Sequence, residues 1–271
     1  MSEIEFDLLK LRAVQFEILK QIIKVCDKYA LSYFAAYGTL LGAVRHKGFI
    51  PWDDDIDIMM PRPDYDKFCE IVKEELSYPY FLLTSANEYK YSQKIGKMQN
   101  LATTCIQKWN RNIDMKKGIY VDIYPLDGCE NTLIGKWRYD FYRRLHKYYC
   151  LYPEMTVGEK IKFCLWKITA LMLYGKCPRK FLHDKLTQLV PFEEAEFVAN
   201  DPRDDIFPKE AFAEAILADF EDTKIKIPVG YDLVLKKCYG DYMKLPPKEE
   251  QTYHHDFVII DTEKSYTEYL K

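Results

Sequence analysis

The 271-residue sequence lacks several features that would point to whole classes of protein. Its N-terminus is acidic where a secretory signal peptide is basic and then apolar, and it has no apolar run long enough to predict a transmembrane helix. With 39 Lys and Arg against 42 Asp and Glu, it has no basic surplus for nucleic acid. Its eight cysteines are scattered without a C-x-x-C pair, which predicts reduced thiols rather than a zinc site. We therefore expect a cytoplasmic protein that does not bind nucleic acid.

Apolar periodicity predicts an α/β (α+β) fold, with a mixed-sheet core followed by a mainly helical C-terminal half. Helices are predicted at 4–30, 39–46, 64–76, 133–150, 158–174, 179–189 and 231–239. Strands are predicted at 33–37, 53–60, 81–84, 93–98, 103–109, 119–124 and 224–227. Because no linker, repeat or low-complexity segment divides the sequence, we predict one domain over 1–271, with the core in about 1–130 and the helical part in about 131–271.

Two acidic residues, Asp55 and Asp57, form the most informative pair. They alternate with Ile56 and Ile58, and residues two apart on a strand point to the same face. Two carboxylates held that close repel each other unless a cation lies between them, and oxygen ligands suit Mg²⁺. A solvated acidic edge is the alternative interpretation of such a pair taken alone.

Two further features favour a site that handles phosphate. The strand predicted at 33–37 ends at Gly38, and Thr39 lies near the start of the next helix, where backbone N–H groups can meet a phosphate. Asp122 is the lone acid of the apolar segment 119–124, where an unpaired charge would be costly. A glycine–hydroxyl turn, paired acids and a third acid on a later strand resemble the nucleotidyltransferase fold. In that arrangement two acids bind metal, and the third completes the metal shell or takes a proton.

A longer string makes the resemblance more specific. Residues 38–46 read GTLLGAVRH and residues 48–57 read GFIPWDDDID. Together they closely resemble the signature of the LicD family of phosphotransferases, to which vertebrate fukutin-type proteins are distantly similar. The resemblance continues at 97–98, 103–104, 121–128, 239–243 and 245–247, and so extends from about residue 25 to His255.

The resemblance implies a metal-dependent transferase. It would move a phospho-alcohol, above all phosphocholine from CDP-choline, to a sugar hydroxyl of a teichoic acid or lipopolysaccharide precursor and release CMP. By position, Asp55, Asp57 and Asp122 are predicted to be catalytic and to bind Mg²⁺ or Mn²⁺, and Gly38 and Thr39 to cradle the donor phosphate. The partners are then a CDP-activated donor and a glycan or lipid-linked glycan acceptor, the latter on the side of the helical half. Two alternatives remain open: a true nucleotidyltransferase that uses CTP or ATP, and a non-catalytic member that binds a glycan or nucleotide.

Residues around these motifs carry further predictions. Arg45 and Lys97 are candidate ligands of the donor phosphate or nucleotide. The alternatives are that Arg45 is part of a basic helix end that complements the helix dipole, and that Lys97 is a solvated surface lysine. Trp52 is the first candidate for binding the choline cation, because a loop residue beside the acids has little packing reason to be tryptophan. Further candidates for binding the cation are Tyr37, Trp109, Tyr120 and Tyr124, and His46 is a further candidate for binding the phosphate. Each of them has a purely structural alternative. The pair His254–His255 could fold back on the site, but two adjacent histidines without a Cys or an acid at ligand spacing are interpreted as surface residues.

The helices predicted at 133–150 and 158–174 allow two interpretations. The first mixes basic and aromatic residues, and residues 161–174 are apolar nearly all round. The pair could rest on the inner face of an anionic membrane, where a lipid-linked acceptor would be found. Alternatively, a buried helix lies beside a solvated basic one. The apolar segment is too short, and too interrupted by lysine, to span a bilayer.

Overall fold

The structure is a computed structural model that describes residues 7–88, 90–91, 93–147, 156–174, 189–201, 205–253 and 255–269. The helices are α1 (Leu8–Lys28), α2 (Tyr37–Arg45), α3 (Arg62–Glu75), α4 (Leu133–Lys147), α5 (Val157–Tyr174) and α6 (Tyr231–Tyr239). The strands are β1 (Phe34–Ala35), β2 (Asp57–Pro61), β3 (Tyr80–Leu83), β4 (Gly96–Asn100), β5 (Thr104–Gln107), β6 (Ile119–Cys129), β7 (Phe197–Ala199), β8 (Ile206–Pro208), β9 (Ala215–Phe220), β10 (Thr223–Pro228) and β11 (Phe257–Asp261).

The main sheet has the strand order β1-β2-β6-β4-β3, and the far end of β6 also pairs with β7, which pairs with β8. The β2–β6 pairing is parallel, whereas the other pairings in this sheet are antiparallel. Two smaller sheets pair β9 with β10 and β5 with β11. The long strand β6 is therefore the centre of the fold, with β2 on one side and β4 on the other.

Helix α1 covers the main sheet by packing against β6 and β4. Asp7 caps its first turn by accepting bonds from the backbone N–H groups of Leu9 and Lys10. Its buried residues recur at three- and four-residue steps, as the sequence predicts, and include Leu11, Ile18, Leu19, Ile22 and Val25. The α1 face and the sheet form one continuous apolar core.

The mixed α/β (α+β) fold is confirmed, but the second half contains more strand than predicted. One strand, at 224–227, is predicted after residue 131, whereas the described residues there include β7 to β11. The strand predicted at 224–227 is β10. The sequence does not predict β7 and β8 because they have only three residues each, and it does not predict β9 because that strand is mostly exposed and so lacks alternation. Since β7 pairs with β6 and β11 with β5, the second half is built into the core.

Some predicted elements fall outside the described residues. Residues 4–6 of the first predicted helix, 148–150 of the helix at 133–150, and 179–188 of the helix at 179–189 are among them. The helix predicted at 231–239 coincides with α6. Among the described residues, no helix is both long enough and apolar enough to cross a bilayer.

Candidate active site

Three charged residues lie side by side on the central strands. In register, Asp57 of β2 is opposite Asp122 of β6, and Asp122 is opposite Lys97 of β4. Side chains opposite each other on neighbouring strands point to the same face of a sheet. All three are nearly inaccessible to solvent. The third acid predicted from the sequence is thus next to the second.

Asp55 reaches the same region from a different backbone position. The expectation that Asp55 and Asp57 share a strand is met only in part, because β2 begins at Asp57. The backbone N–H of Asp122 donates to the carbonyl of Ile56 at 3.0 Å, so pairing with β6 begins just before β2. Asp55 precedes that point, in the segment that leads into the strand, and is partly exposed.

Three neighbouring aspartates, Asp53, Asp55 and Asp57, have a raised pKa. Burial is the main cause of the raised pKa of Asp57, and the charges of Asp55, Asp122 and Asp53 raise it further, against a lowering by Lys97. Burial also raises the pKa of Asp53 and of Asp55. Burial and mutual repulsion thus disfavour the ionised carboxylates, and a bound cation would favour them, so we expect the site to attract a cation.

Lys97 compensates one of these acids. Its Nζ donates to both carboxylate oxygens of Asp122, at 2.6 and 2.8 Å. The same ammonium lies 3.6 Å from the ring centre of Tyr120, whose hydroxyl accepts a bond from Gln107. Lys97 is thus buried against the third acid. Its predicted role as a ligand of the donor phosphate stays a prediction.

The glycine–hydroxyl turn contacts the acids directly. Helix α2 begins at Tyr37, and Thr39 in its first turn accepts at Oγ1 a bond of 2.9 Å from the backbone N–H of Asp57. A Cβ on Gly38 would lie 2.4 Å from Oδ2 of Asp53, so a larger residue here would displace the Asp53 carboxylate. The hydroxyl of Thr39 therefore fixes the start of β2. The absence of a side chain on Gly38 lets the carboxylate of Asp53 lie against the start of α2, where backbone N–H groups lack helical partners.

A cleft of about 620 Å³ opens beside these residues. Asp53, Asp55 and Asp57 line one part of it, together with Gly38. Trp52 and, among the other aromatic candidates, Tyr37 line it as well, and their predicted contact with the choline cation stays a prediction. The remaining candidates, Trp109, Tyr120 and Tyr124, are not among its lining residues. Tyr239 and Tyr242 line it as well. Both lie in the segment 239–243 of the family resemblance, but neither is among the predicted site residues.

Arg45 lines the cleft but is largely engaged with the protein. Its Nη1 donates to the carbonyl of Tyr242 at 2.6 Å and to that of Lys244 at 3.4 Å, and its Nε donates to His46. Arg45 thus fixes the segment after α6 against α2. In the described part of the chain, Nη2 is the guanidinium nitrogen that these bonds leave for a ligand in the cleft.

His255 reaches the acids from the C-terminal segment, so its interpretation as a surface residue is wrong. Its Nδ1 lies 2.9 Å from Oδ1 of Asp54, and its backbone N–H donates to Oδ2 of Asp54 at 3.2 Å. Its Nε2 lies 3.8 Å from Oδ2 of Asp55. The pKa of His255 is raised above its ordinary value. Burial lowers this pKa, but the bond to Asp54 and the charges of Asp55 and Asp54 raise it by more. His254 lies outside the described residues.

The donor set suits a divalent cation. Among the described residues, Asp54, Asp55 and His255 offer potential ligand atoms within 4.8 Å of one another. The predicted trio of Asp55, Asp57 and Asp122 does not form such a group among the described residues, and Lys97 bonds both oxygens of Asp122. Oδ1 of Asp57, however, is buried and has no hydrogen-bond partner among the residues that the structure describes. A buried carboxylate oxygen of this kind fits a metal ligand, because an unpaired one is costly.

Comparisons with known proteins point to the family that the sequence resembles. Residues 30–157 match the family model described as LicD/FKTN/FKRP, nucleotidyltransferase domain. These residues belong to the LicD family. Over 266 residues the chain is 29% identical to the lipopolysaccharide cholinephosphotransferase LicD of Haemophilus influenzae, covering 89% of this chain and 93% of that protein. The resemblance to LicD and the expectation of a phosphotransferase are thereby confirmed.

Shorter matches involve proteins of unknown activity. The chain is 31% identical over 112 residues to an uncharacterised protein of Rickettsia prowazekii, covering 41% of this chain and 38% of that protein. It is 39% identical over 59 residues to an uncharacterised protein of Rickettsia typhi, covering 22% of this chain and 19% of that protein. Unlike the match to Haemophilus LicD, they leave most of the chain unmatched.

Proposed function

We propose that this LicD-family enzyme transfers phosphocholine from CDP-choline to a sugar hydroxyl of a cell-surface glycan precursor and releases CMP. The observation that carries the proposal is the cleft, where Asp55 and Asp57 face the same space as Trp52 and Tyr239. The acids suit a metal bound to phosphates, and the aromatic rings suit a quaternary ammonium. The similarity over most of the chain to a cholinephosphotransferase supports the choice of alcohol.

The proposed step is an in-line displacement at phosphorus. The sugar hydroxyl oxygen attacks the phosphorus that bears choline, and the bond from that phosphorus to the bridging oxygen breaks. CMP leaves with the bonding electron pair, and the hydroxyl proton is released. Asp55 and Asp57 would hold Mg²⁺ or Mn²⁺, which when bound neutralises charge on the donor phosphates. Asp122, the third predicted acid, would lie beside them, held by Lys97.

The chain's own groups would position the donor. The N–H groups of Gly38 and Thr39, at the start of α2, are placed to donate to a phosphate oxygen. Nη2 of Arg45 adds a charge-assisted donor from the same helix. Trp52 and the half-exposed Tyr239 lie where they can contact the choline cation, an interaction of about 0.5–2 kcal/mol in proteins.

Product analysis tests the proposal. Purified protein is incubated with Mg²⁺ or Mn²⁺, a glycan acceptor and, in turn, CDP-choline, CDP-ribitol, CDP-glycerol and CTP. We expect metal-dependent CMP release from CDP-choline, lost in Asp57→Asn. CMP from another CDP-alcohol would make the choice of choline wrong. Pyrophosphate from CTP would instead identify a nucleotidyltransferase, and binding without turnover a non-catalytic member.

The choline assignment has a sharper test in Trp52. Trp52→Leu removes the π face and keeps an apolar side chain, so we expect a several-fold rise in KM for CDP-choline and an unchanged KM for CDP-glycerol. Trp109→Leu is the matched control, because Trp109 lies outside the cleft lining. An equal effect of Trp52→Leu on both donors would place the choline elsewhere.

We further propose that the α4–α5 surface rests on an anionic bilayer, which would bring the enzyme to a lipid-linked acceptor. The two helices carry eight Lys or Arg and two Asp or Glu, a net charge of +6 in a chain whose net charge is −3. Their exposed apolar residues include Leu133, Ile134, Trp137, Leu165, Ile168 and Met172. Helix α5 is mostly apolar and mostly exposed, so we expect its surface to be buried against another apolar phase or molecule. The positive net charge of α4 and α5 favours anionic lipid.

Vesicle sedimentation tests this surface. We expect binding to phosphatidylcholine vesicles that contain phosphatidylglycerol, weaker binding at high salt, and little binding to phosphatidylcholine alone. Replacing Trp137 and Met172 with serine should weaken binding, whereas Leu217→Ser, at an exposed position on β9, should not. Absence of binding would overturn the proposal, as would a dimer that the Trp137 and Met172 replacements dissociate.

A further inference from the structure

His255 is held by the protein in a way that leaves one ring nitrogen for a ligand. The carboxylate of Asp54 accepts at Oδ1 from Nδ1 of the ring and at Oδ2 from the backbone N–H of the same residue. Because a carboxylate only accepts, Nδ1 carries the proton and Nε2 presents its lone pair when the ring is neutral. Phe257 stacks on the ring at 5.5 Å between ring centres, which also restrains its orientation.

Asp54 is an orienting residue rather than a ligand. Both of its oxygens are occupied by His255, its side chain is fully buried, and its backbone carbonyl accepts a bond from Gln15 at 2.9 Å. A carboxylate that accepts from the second nitrogen of an imidazole is the usual outer partner of a metal-binding histidine. Asp54 is therefore placed to fix the tautomer and direction of His255.

Nε2 of His255 and Oδ2 of Asp55 are close enough to share an ion. They lie 3.8 Å apart, and two ligands that each lie about 2.1 Å from one ion can be separated by up to about 4.2 Å. Asp55 also lines the cleft beside Asp57, whose buried Oδ1 has no hydrogen-bond partner in the described residues. Asp55 thus joins the histidine to the acids of the catalytic site.

We propose that His255, oriented by Asp54, is a nitrogen ligand of the divalent cation bound at Asp55. The inference rests on the proposed metal-dependent transfer and refines it by naming the class of cation. Oxygen ligands alone suit Mg²⁺, whereas one imidazole among carboxylates favours a first-row transition ion such as Mn²⁺. The C-terminal segment would then close the metal site, because His255 is the residue through which it reaches Asp55.

Pulsed electron paramagnetic resonance on the whole protein loaded with Mn²⁺ tests the inference without measuring turnover. We expect modulation from a directly bound ¹⁴N nucleus, replaced by the ¹⁵N pattern when the wild-type protein is grown on ¹⁵N-histidine. His255→Gln should abolish the signal, whereas His46→Gln should keep it. His46 is the matched control, because its Nε2 accepts a bond from Arg45 and, among the described residues, it is not grouped with Asp55 as a potential metal ligand.

Binding affinities provide the second readout. His255→Gln should weaken Mn²⁺ by at least tenfold and Mg²⁺ by less, and Asp54→Asn should weaken Mn²⁺ by about 10- to 100-fold through loss of orientation. Absence of nitrogen modulation in the wild type, or its persistence in His255→Gln, would overturn the inference and leave the proposed transfer intact. Nitrogen modulation in a protein that transfers no phosphocholine would overturn the transfer and leave the ligand assignment intact.

Discussion

Lys97 donates from Nζ to both carboxylate oxygens of Asp122, at 2.6 and 2.8 Å, across the neighbouring strands β4 and β6. Both side chains are almost entirely buried. This buried pair gives the acid cluster its own cation and holds the third acid in place. It also explains why Asp122 is tolerated in an otherwise apolar strand segment, since a buried charge is stable only when paired.

Removal of Lys97 should therefore destabilise the protein. Lys97→Met leaves Asp122 as an uncompensated buried charge, and we expect a loss of about 3–5 kcal/mol in the free energy of unfolding. Denaturant titration measures it, and Asp122→Asn in the same chain should restore part of the loss. Lys236→Met removes the exposed pair with Asp232 and should cost less than about 1 kcal/mol. Equal effects of the two replacements would contradict the prediction.

The hydroxyl of Thr39 should matter more than its methyl group. Its Oγ1 accepts from the buried backbone N–H of Asp57, and an unsatisfied buried donor costs about 1–3 kcal/mol. We expect Thr39→Val to lose about that much stability and to lower transfer activity, because β2 carries Asp57. Thr39→Ser keeps the oxygen and should retain most of both. A valine variant as stable as the serine variant would show that the bond has no stabilising role.

Local patterns predicted much of the fold and the residues that supply the acids. The spacing of apolar residues in α1 and the string GTLLGAVRH–GFIPWDDDID are properties of short segments. They can therefore be recognised in the sequence without knowledge of the fold. What they could not predict is contact between distant segments. Lys97 meets Asp122 because β4 pairs with β6, and His255 meets Asp54 across about 200 residues of sequence. For His255, the sequence offered its place at the end of the family resemblance and the possibility of a fold back on the site, and neither identified Asp54 as its partner.

Stability without metal should depend on pH in a direction set by Asp57. Its pKa is raised in the folded state by burial and by Asp55, Asp122 and Asp53, whereas an unfolded aspartate titrates near about 3.9. As pH rises above that value, the folded state binds more protons than the unfolded state, so stability falls. Asp57→Asn lacks this contribution. We expect its stability relative to the metal-free wild type to grow between about pH 4 and pH 8.

Thermal unfolding of both proteins over this pH range, with and without Mn²⁺, measures the effect. Bound Mn²⁺ offsets the repulsion among the acids, so it should raise the wild-type melting temperature at pH 8 more than that of Asp57→Asn. Because the comparison is a difference between two proteins, carboxylates elsewhere that titrate in both cancel. A constant difference across the pH range would contradict the assignment of the raised pKa to Asp57.

Gly38 offers the cleanest steric test of the site. A Cβ there would lie 2.4 Å from Oδ2 of Asp53, so Gly38→Ala must displace that carboxylate from the start of α2. We expect a loss of about 1–3 kcal/mol in stability, with reduced transfer activity because the same turn carries Thr39. Gly158→Ala is the matched control. No atom of the described residues lies within 4 Å of its added Cβ in α5, and alanine is the better helix former by about 1 kcal/mol. We expect it to stabilise the protein slightly and leave transfer unchanged, and a Gly38→Ala variant that behaves the same way would show that Asp53 need not lie against α2.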